Sequence, residues 1–389
     1  NTLCIEIPTR TVGTAGNRQA CEFFERTAAG FGFNTRRQEF ACLDWSSWRC
    51  GLAVEGTRFK VLASPYSPAV ACIAPLSVVT TVEELRNAPH NTALLLRGQI
   101  AKEQLFPKGY PFYYPDEHKE IHTLLEQKQP QVIITAVEPH PETAGAIYPY
   151  AMIEDGNFDI PSMYMSAEEG LRLAALADRQ AAAEMAAKRQ KASGFNPLAH
   201  LPGSIEKRVV VSAHIDAKAG TPGALDNAAG VVVLLLLAER MQGYSGKLGV
   251  ELVPFNGEDH YSAAGELAYL AEADLANVVL NINIDALGYR GGWTGYSTYN
   301  CPQEVNLLID TALAGRQSIK PGQAWPQGDH MVFAQNGVPA LALTSDNFND
   351  ILTSIAHTST DTPDLVDEAL LKGAAETVKA IIDSLNESI

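Results

Sequence analysis

The sequence predicts an α/β protein: a wound, mixed sheet with helices on both faces, interrupted by a smaller inserted α+β domain. Three observations lead there. Past Lys207, apolar runs of strand length alternate with helical stretches, the pattern of a largely parallel sheet. From about Gly56 to Lys191 the texture changes to brief apolar runs set among Pro-rich loops. The chain also has 389 residues, 46% of them apolar and 19% charged, which suits a large core and excludes an intrinsically disordered chain.

The elements follow in chain order. Gly16-Asn17 opens a helix whose apolar face is Ala20, Phe23, Phe24 and Ala28, and Gly30 and Gly32 end it. Residues 33–42 then alternate like a strand. In the middle segment the runs 92–96 and 131–137 read as strands, and 107–115 and 139–149 as Pro-rich loops. The stretch 167–191, rich in Ala, Glu and Lys, reads as one long surface helix, and 193–197 as a boundary loop. The C-terminal part predicts strands at 209–213, 248–255, 278–284 and 338–343. Between them lie helices at 228–241, 262–272, 302–315 and 329–335, with a last helix at 363–385. The domains are therefore expected at 1–55 with 195–389, and at 56–194.

Composition narrows the function. With 29 Lys and Arg against 45 Asp and Glu, the formal charge of −16 argues against nucleic acid or an anionic membrane as a general partner. The most apolar run, 228–238, falls short of the roughly 18 residues that a membrane span needs. The first residue is Asn1 and not Met, which is compatible with a trimmed leader. Cys4, Cys21, Cys42, Cys50, Cys72 and Cys301 form no CxxC pair, so buried thiols are expected, with a Cys42–Cys50 disulfide as the alternative. Scattered cysteines favour the cytoplasm slightly over export.

The chemistry gathers at one edge. In open α/β sheets ligands bind outside the carboxyl ends of the strands. There the sequence places His214 and Asp216 after the first C-terminal strand, Glu258 and Asp259 after the second, and Asp285 after the third. A loop after the fourth delivers His357, and Asp226 opens the helix after the first. Each has a duller explanation alone. Asp226 or Asn227 could be an N-cap, Glu258-Asp259 a solvated pair, and His357, His260 and His330 ordinary histidines. Solvated groups, however, would scatter along the chain and not recur at strand ends.

Metal chemistry accounts for the residue types. Zinc takes imidazole and carboxylate ligands, and two zincs side by side need a bridging carboxylate. Asp226 is the natural bridge, with His214 and Asp285 completing one metal and Asp259 and His357 the other. Asp216 is expected to accept the second imidazole N–H of His214. Glu258 is adjacent to a ligand but not needed as one, and suits a general base.

Taken together, these residues resemble a family. They form the motifs His214-Ile215-Asp216, Leu225-Asp226-Asn227-Ala228-Ala229-Gly230, Asn256-Gly257-Glu258-Asp259, Asn283-Ile284-Asp285-Ala286-Leu287-Gly288 and His357-Thr358-Ser359-Thr360-Asp361-Thr362. Together they resemble the co-catalytic zinc aminopeptidases, whose superfamily also holds glutamate carboxypeptidase II and the transferrin receptor. Thr11 to Asn17 is similar to that family's Arg-x-x-Gly-Ser-x-Gly-Asn motif. Gly328-Asp329-His330 with Phe333 and Gly337 to Ala340 is similar to its substrate-side element.

The resemblance implies a phosphorylase/hydrolase-like catalytic fold over 1–55 and 195–389, with a protease-associated-like domain inserted between them. It implies His214, Asp226, Asp259, Asp285 and His357 as ligands of two Zn2+, or of Co2+ or Mn2+, with Glu258 as base, and Asp216 counts as catalytic beside it through His214. Asp329, His330 and Tyr289 would face the substrate, with Tyr296 and Tyr299 as further candidates for holding an oxyanion. A cis peptide is expected at Asp226–Asn227. Asp259 departs from the family's usual Glu by one methylene. The activity implied is that of an exopeptidase, foremost an aminopeptidase acting on peptides with a free N-terminus. The alternatives are a carboxypeptidase, a single-zinc acyltransferase of the glutaminyl-cyclase type, and a non-catalytic receptor-like homologue. Oligomeric state has no signal in the sequence.

Overall fold

A computed structural model describes residues 1–139, 146–325 and 327–389, and divides the chain into two compact units, 1–42 with 193–389, and 43–192. The larger unit is built on a mixed sheet. Its centre is parallel, in the order Ala340–Ser345, Val278–Ile284, Arg208–His214, Gly249–Phe255. Thr294–Tyr299 joins one side antiparallel and is itself flanked by Ile319–Pro321, while residues 199–201 join the other side antiparallel. Strands covered on both faces read as near-continuous apolar runs, and every residue of Gly249–Phe255 is buried, Glu251 included.

Side chains on that strand alternate between the faces. Val250 and Leu252 enter the main core, which also holds Phe24 of helix Ala15–Gly30, Leu234 of Ala229–Arg240 and Ile381 of Glu368–Ser388. Phe255 points the other way, into an aromatic triangle with Tyr269 of helix Ala264–Glu272 and Phe333 of helix His330–Ala334. Helices therefore cover both faces, as expected.

The smaller unit has its own sheet. Val70–Val79, Ala93–Arg97, Val132–Val137 and Ser162–Ser166 run parallel, and residues 180–185 pair antiparallel with Val70–Val79. Alternate residues again feed two cores: Leu95 and Ile134 lie in one, Leu94, Leu96 and Ile133 in the other.

Several expectations change. The long helix expected at 167–191 is a helix only over Ala167–Ala174; Gln180–Leu201 is a strand that absorbs the boundary loop expected at 193–197. The run from Gln180 to Met185 alternates exposed and buried, with Ala181, Ala183 and Met185 packed inward. In an Ala-rich stretch that period is invisible, so partner strands override the helical propensity. The boundary expected at 55/56 falls at 42/43, because Leu52 and Val54 pair with Thr57–Phe59 and bury in the core of the smaller unit. The first helix is capped by Thr14, whose side chain accepts the Asn17 N–H, and not by Gly16-Asn17. The last helix begins at Glu368 behind an Asp367 cap, with Pro363–Leu365 a separate 3-10 turn. Most of the loop expected at 139–149 lies outside the described residues. Among the described residues no disulfide forms, and no helix is long and apolar enough to cross a membrane.

Candidate metal centre

The parallel strands deliver their C-terminal residues to one edge, and the side chains there converge on the Asp226 carboxylate. Oδ1 of Asp226 lies 3.0 Å from Nε2 of His214, which in turn stands 3.4 Å from Oδ1 of Asp285. Oδ2 of Asp226 lies 3.0 Å from Nε2 of His357, which stands 3.1 Å from Oδ1 of Asp259. One carboxylate thus faces two imidazoles, and each imidazole faces one further acid.

The turn that presents Asp226 explains its freedom. The Asp226–Asn227 peptide is cis. The neighbouring Asn227, not Asp226, serves the helix start: its Oδ1 accepts the Gly230 N–H at 3.0 Å, and its Nδ2 donates to the Ile284 carbonyl at 2.8 Å. Only glycine fits at 230, because a Cβ there would overlap Asn227 and stand 2.7 Å from the Ile284 oxygen. Asp226 is left with its side-chain oxygens turned to the histidines.

The electrostatics are those of a site short of positive charge. Burial alone would push the His214 imidazole down, but Asp285 and Asp226 outweigh it and hold it well above its ordinary value. His357 is likewise raised against its burial by Asp259 and Asp226. Burial opposes ionisation of Asp226, yet the two imidazoles hold it far below the usual carboxylate range. Burial pushes Glu258 well up, and Asp259, Asp285 and Asp226 add to that shift against His214. Asp285 is also raised by burial, while His357 brings Asp259 down despite its burial.

The donors fit a divalent cation. Ligand atoms of His214, Asp226 and Asp259 lie within 4.8 Å of one another. Nε2 of His214 and Oδ2 of Asp259 are buried and make no hydrogen bond; the 3.0 Å approach of His214 to Asp226 is close in distance without hydrogen-bond angles. Buried polar atoms without partners are costly, and imidazole with carboxylate is a zinc-type donor set.

Asp216 takes a different part from the one expected. Its Oδ1 lies 3.8 Å from Nδ1 of His214, whose nearer neighbour is the Asp216 backbone oxygen at 3.3 Å. The carboxylate instead accepts the backbone N–H of Gly257 at 2.9 Å and of Asp259 at 3.1 Å, and so holds both sides of Glu258. Gly257 has φ +147, a conformation that favours glycine.

The substrate-side candidates divide. Asp329 is buried with neither carboxylate oxygen hydrogen-bonded, and a Cβ on the preceding Gly328 would lie 3.3 Å from Oδ2 of Asp285, so this segment abuts the centre. His330 is fully buried between Tyr299 and Trp325, with ring centroids 4.6 and 4.7 Å away, and burial lowers its pKa to about 4. The structure therefore gives His330 a packing place and not an open one. The Tyr296 hydroxyl donates to Asp310, and that of Tyr299 is engaged with the Trp325 backbone. Tyr289 bridges Val366 and packs beside Leu225 and Ala286, the neighbours of Asp226 and Asp285.

The motifs do not show which of their groups pair to hold these loops. Asn17 and Asn256 exchange two side-chain hydrogen bonds at 2.7 and 3.0 Å, tying the first helix to the turn of Glu258. Asn17 was legible as part of a motif, but its partner lies 239 positions away.

The profile of peptidase family M28 matches residues 196–382, the stretch that carries the whole cluster. The matched stretch, just under half of the chain, is similar to this family. Among curated relatives, the alkaline phosphatase isozyme conversion protein of Escherichia coli is 27% identical over 187 residues, covering 40% of this chain and 54% of that protein. A probable leucine aminopeptidase of Trichophyton verrucosum is 27% identical over 188 residues, covering 43% of this chain and 49% of that protein. The chain thus spans about half the length of the curated relatives it matches. Among solved structures, an aminopeptidase from Aneurinibacillus sp. strain AM-1 superposes with a TM-score of 0.76 at 19% identity, covering 98% of this chain and 92% of that one. A zinc aminopeptidase from Bacillus subtilis gives 0.75 at 18% identity, covering 99% and 92%. At such identities the likeness is one of fold.

Proposed function

We propose that this protein is a zinc-dependent aminopeptidase that removes N-terminal residues from peptides, and that it works with two ions. The observation that carries this reading is the Asp226 carboxylate, 3.0 Å from the imidazole of His214 on one side and of His357 on the other. A carboxylate so placed suits a bridge. His214, Asp226 and Asp285 would hold one ion, and His357, Asp226 and Asp259 the other. Two structural neighbours are aminopeptidases, one of them a zinc enzyme, which supports the same activity.

When bound, the ions supply Lewis acidity toward a carbonyl oxygen and lower the pKa of water. The chain's own groups do the rest. Glu258, its turn held by Asp216, would take a proton from the attacking water and return it to the leaving amine. The surplus of buried carboxylates favours a free α-ammonium group at the cluster, the source of an amino-terminal preference. Asp329, abutting Asp285, would line the substrate side. The unit 43–192 would be the family's protease-associated-like insertion.

The test is metal stoichiometry on purified protein together with a panel of aminoacyl chromogenic substrates, with and without added zinc. Two metals per chain and hydrolysis that requires a free α-amine are expected. One metal per chain, or two with turnover only of N-blocked substrates, would overturn the reading.

A further inference from the structure

The turn that carries Asp226 is gripped from both sides by two buried charged residues, neither of which belongs to the cluster itself. Arg10 is 2% exposed, and its guanidinium donates to four backbone carbonyls. Nε donates to Ile215 at 3.0 Å, Nη1 to Leu3 at 2.6 Å and Pro222 at 2.8 Å, and Nη2 to Gly223 at 2.8 Å. The same side chain therefore joins the residue after His214 to the turn that leads into Asp226. Gly223 has φ +58, and a Cβ there would stand 2.6 Å from Nη2, so glycine permits the approach.

Asp361 takes the opposite side. It is fully buried; Oδ1 accepts the Leu225 N–H at 2.7 Å, Oδ2 the Asp226 N–H at 3.1 Å, and its backbone oxygen the Ala224 N–H at 3.2 Å. It lies four positions after His357 in the chain. Carbonyls at 222 and 223 thus go to Arg10, and amides at 224, 225 and 226 to Asp361. A planar guanidinium with fixed donors and a carboxylate with two acceptors restrict a turn more than hydroxyls or water would.

We propose that Arg10 and Asp361 are positioning residues, a two-sided clamp that fixes Asp226 relative to His214 and His357 and so sets the affinity of the centre for divalent cations. This rests on the reading of Asp226 as the bridging ligand. Groups that orient ligands without touching the metal typically contribute about 10–100-fold in affinity. Arg10 reaches the site from the N-terminal segment, so the clamp also makes a stretch with no ligand of its own part of the metal centre.

Asp361→Asn keeps the shape but can accept only one of the two amides through its side-chain oxygen. Arg10→Lys keeps the charge but not the fork. Zinc affinity of each full-length variant is measured by chelator competition, together with the d–d absorption of the cobalt form and the thermal midpoint of the metal-free protein. The clamp predicts zinc affinity weakened about 10–100-fold in both variants and an altered cobalt spectrum, beyond any change in the metal-free midpoint. Unchanged zinc affinity with a lowered midpoint would make both residues purely structural and overturn the proposal. If Arg10→Lys does not fold, Asp361→Asn decides by the same criterion. Failure of the unaltered protein to bind zinc would instead overturn the reading of the ligands, a separable outcome.

Discussion

Asp216 shows what a single residue's surroundings decide. Its place two positions after His214 suggests a partner for that imidazole, yet the folded chain gives its carboxylate to the amides of Gly257 and Asp259. Glu258 between them is the group to test. Glu258→Gln should keep its metal content and lose about two to four orders of magnitude in hydrolysis, the usual worth of general acid–base catalysis. Loss of metal along with rate would mean that Glu258 is a ligand. The histidines make a second prediction. With His214 and His357 both raised by neighbouring acids, each holds a proton to higher pH than a free imidazole does, and a cation must displace it. Metal binding should therefore release protons, and apparent affinity should rise with pH until both rings are neutral. Calorimetry in buffers of differing ionisation enthalpy measures this release, and none across neutral pH would contradict the assignment of both rings as ligands.

Among the elements, the helix Ala229–Arg240 and its entry turn depend on contacts that tolerate no added atom. Gly230→Ala would drive a methyl against Asn227 and to within 2.7 Å of the Ile284 carbonyl. Overpacking of this kind costs about 1–3 kcal/mol, and here it would also displace Asp226. A lowered urea midpoint with weakened metal binding is expected; unchanged values for both would show that the turn yields freely. The strands were legible where apolar residues predominate, as in Val278–Ile284, whose run only Asn281 and Asn283 interrupt, because burial on both faces leaves little choice of residue. Gln180–Leu201 was not, because alanines at 181–183 satisfy helix and strand periods alike until Val70–Val79 supplies a partner.

For the whole molecule, the centre concentrates buried acids in a chain already at −16, and bound cations offset that repulsion. Ligands that bind only the folded state stabilise it by about 2.7 kcal/mol at a hundredfold excess over Kd. Removing metal with a chelator should lower the thermal midpoint of the larger unit, and zinc should restore it. A midpoint that is indifferent to chelation would remove the ions from the folding energetics. What the sequence alone determined is the chemistry: His214, Asp226, Glu258, Asp259, Asp285 and His357 sit beside strands and loops whose patterns are local, so their common edge follows from the α/β order. Only the tertiary structure decided where Asp216 places its carboxylate, and that Arg10 and Asn17 hold the loops of the centre. Those arrangements depend on partners up to 239 positions away, which no local period records. Buried polar groups take whatever partner the packing brings within hydrogen-bond reach.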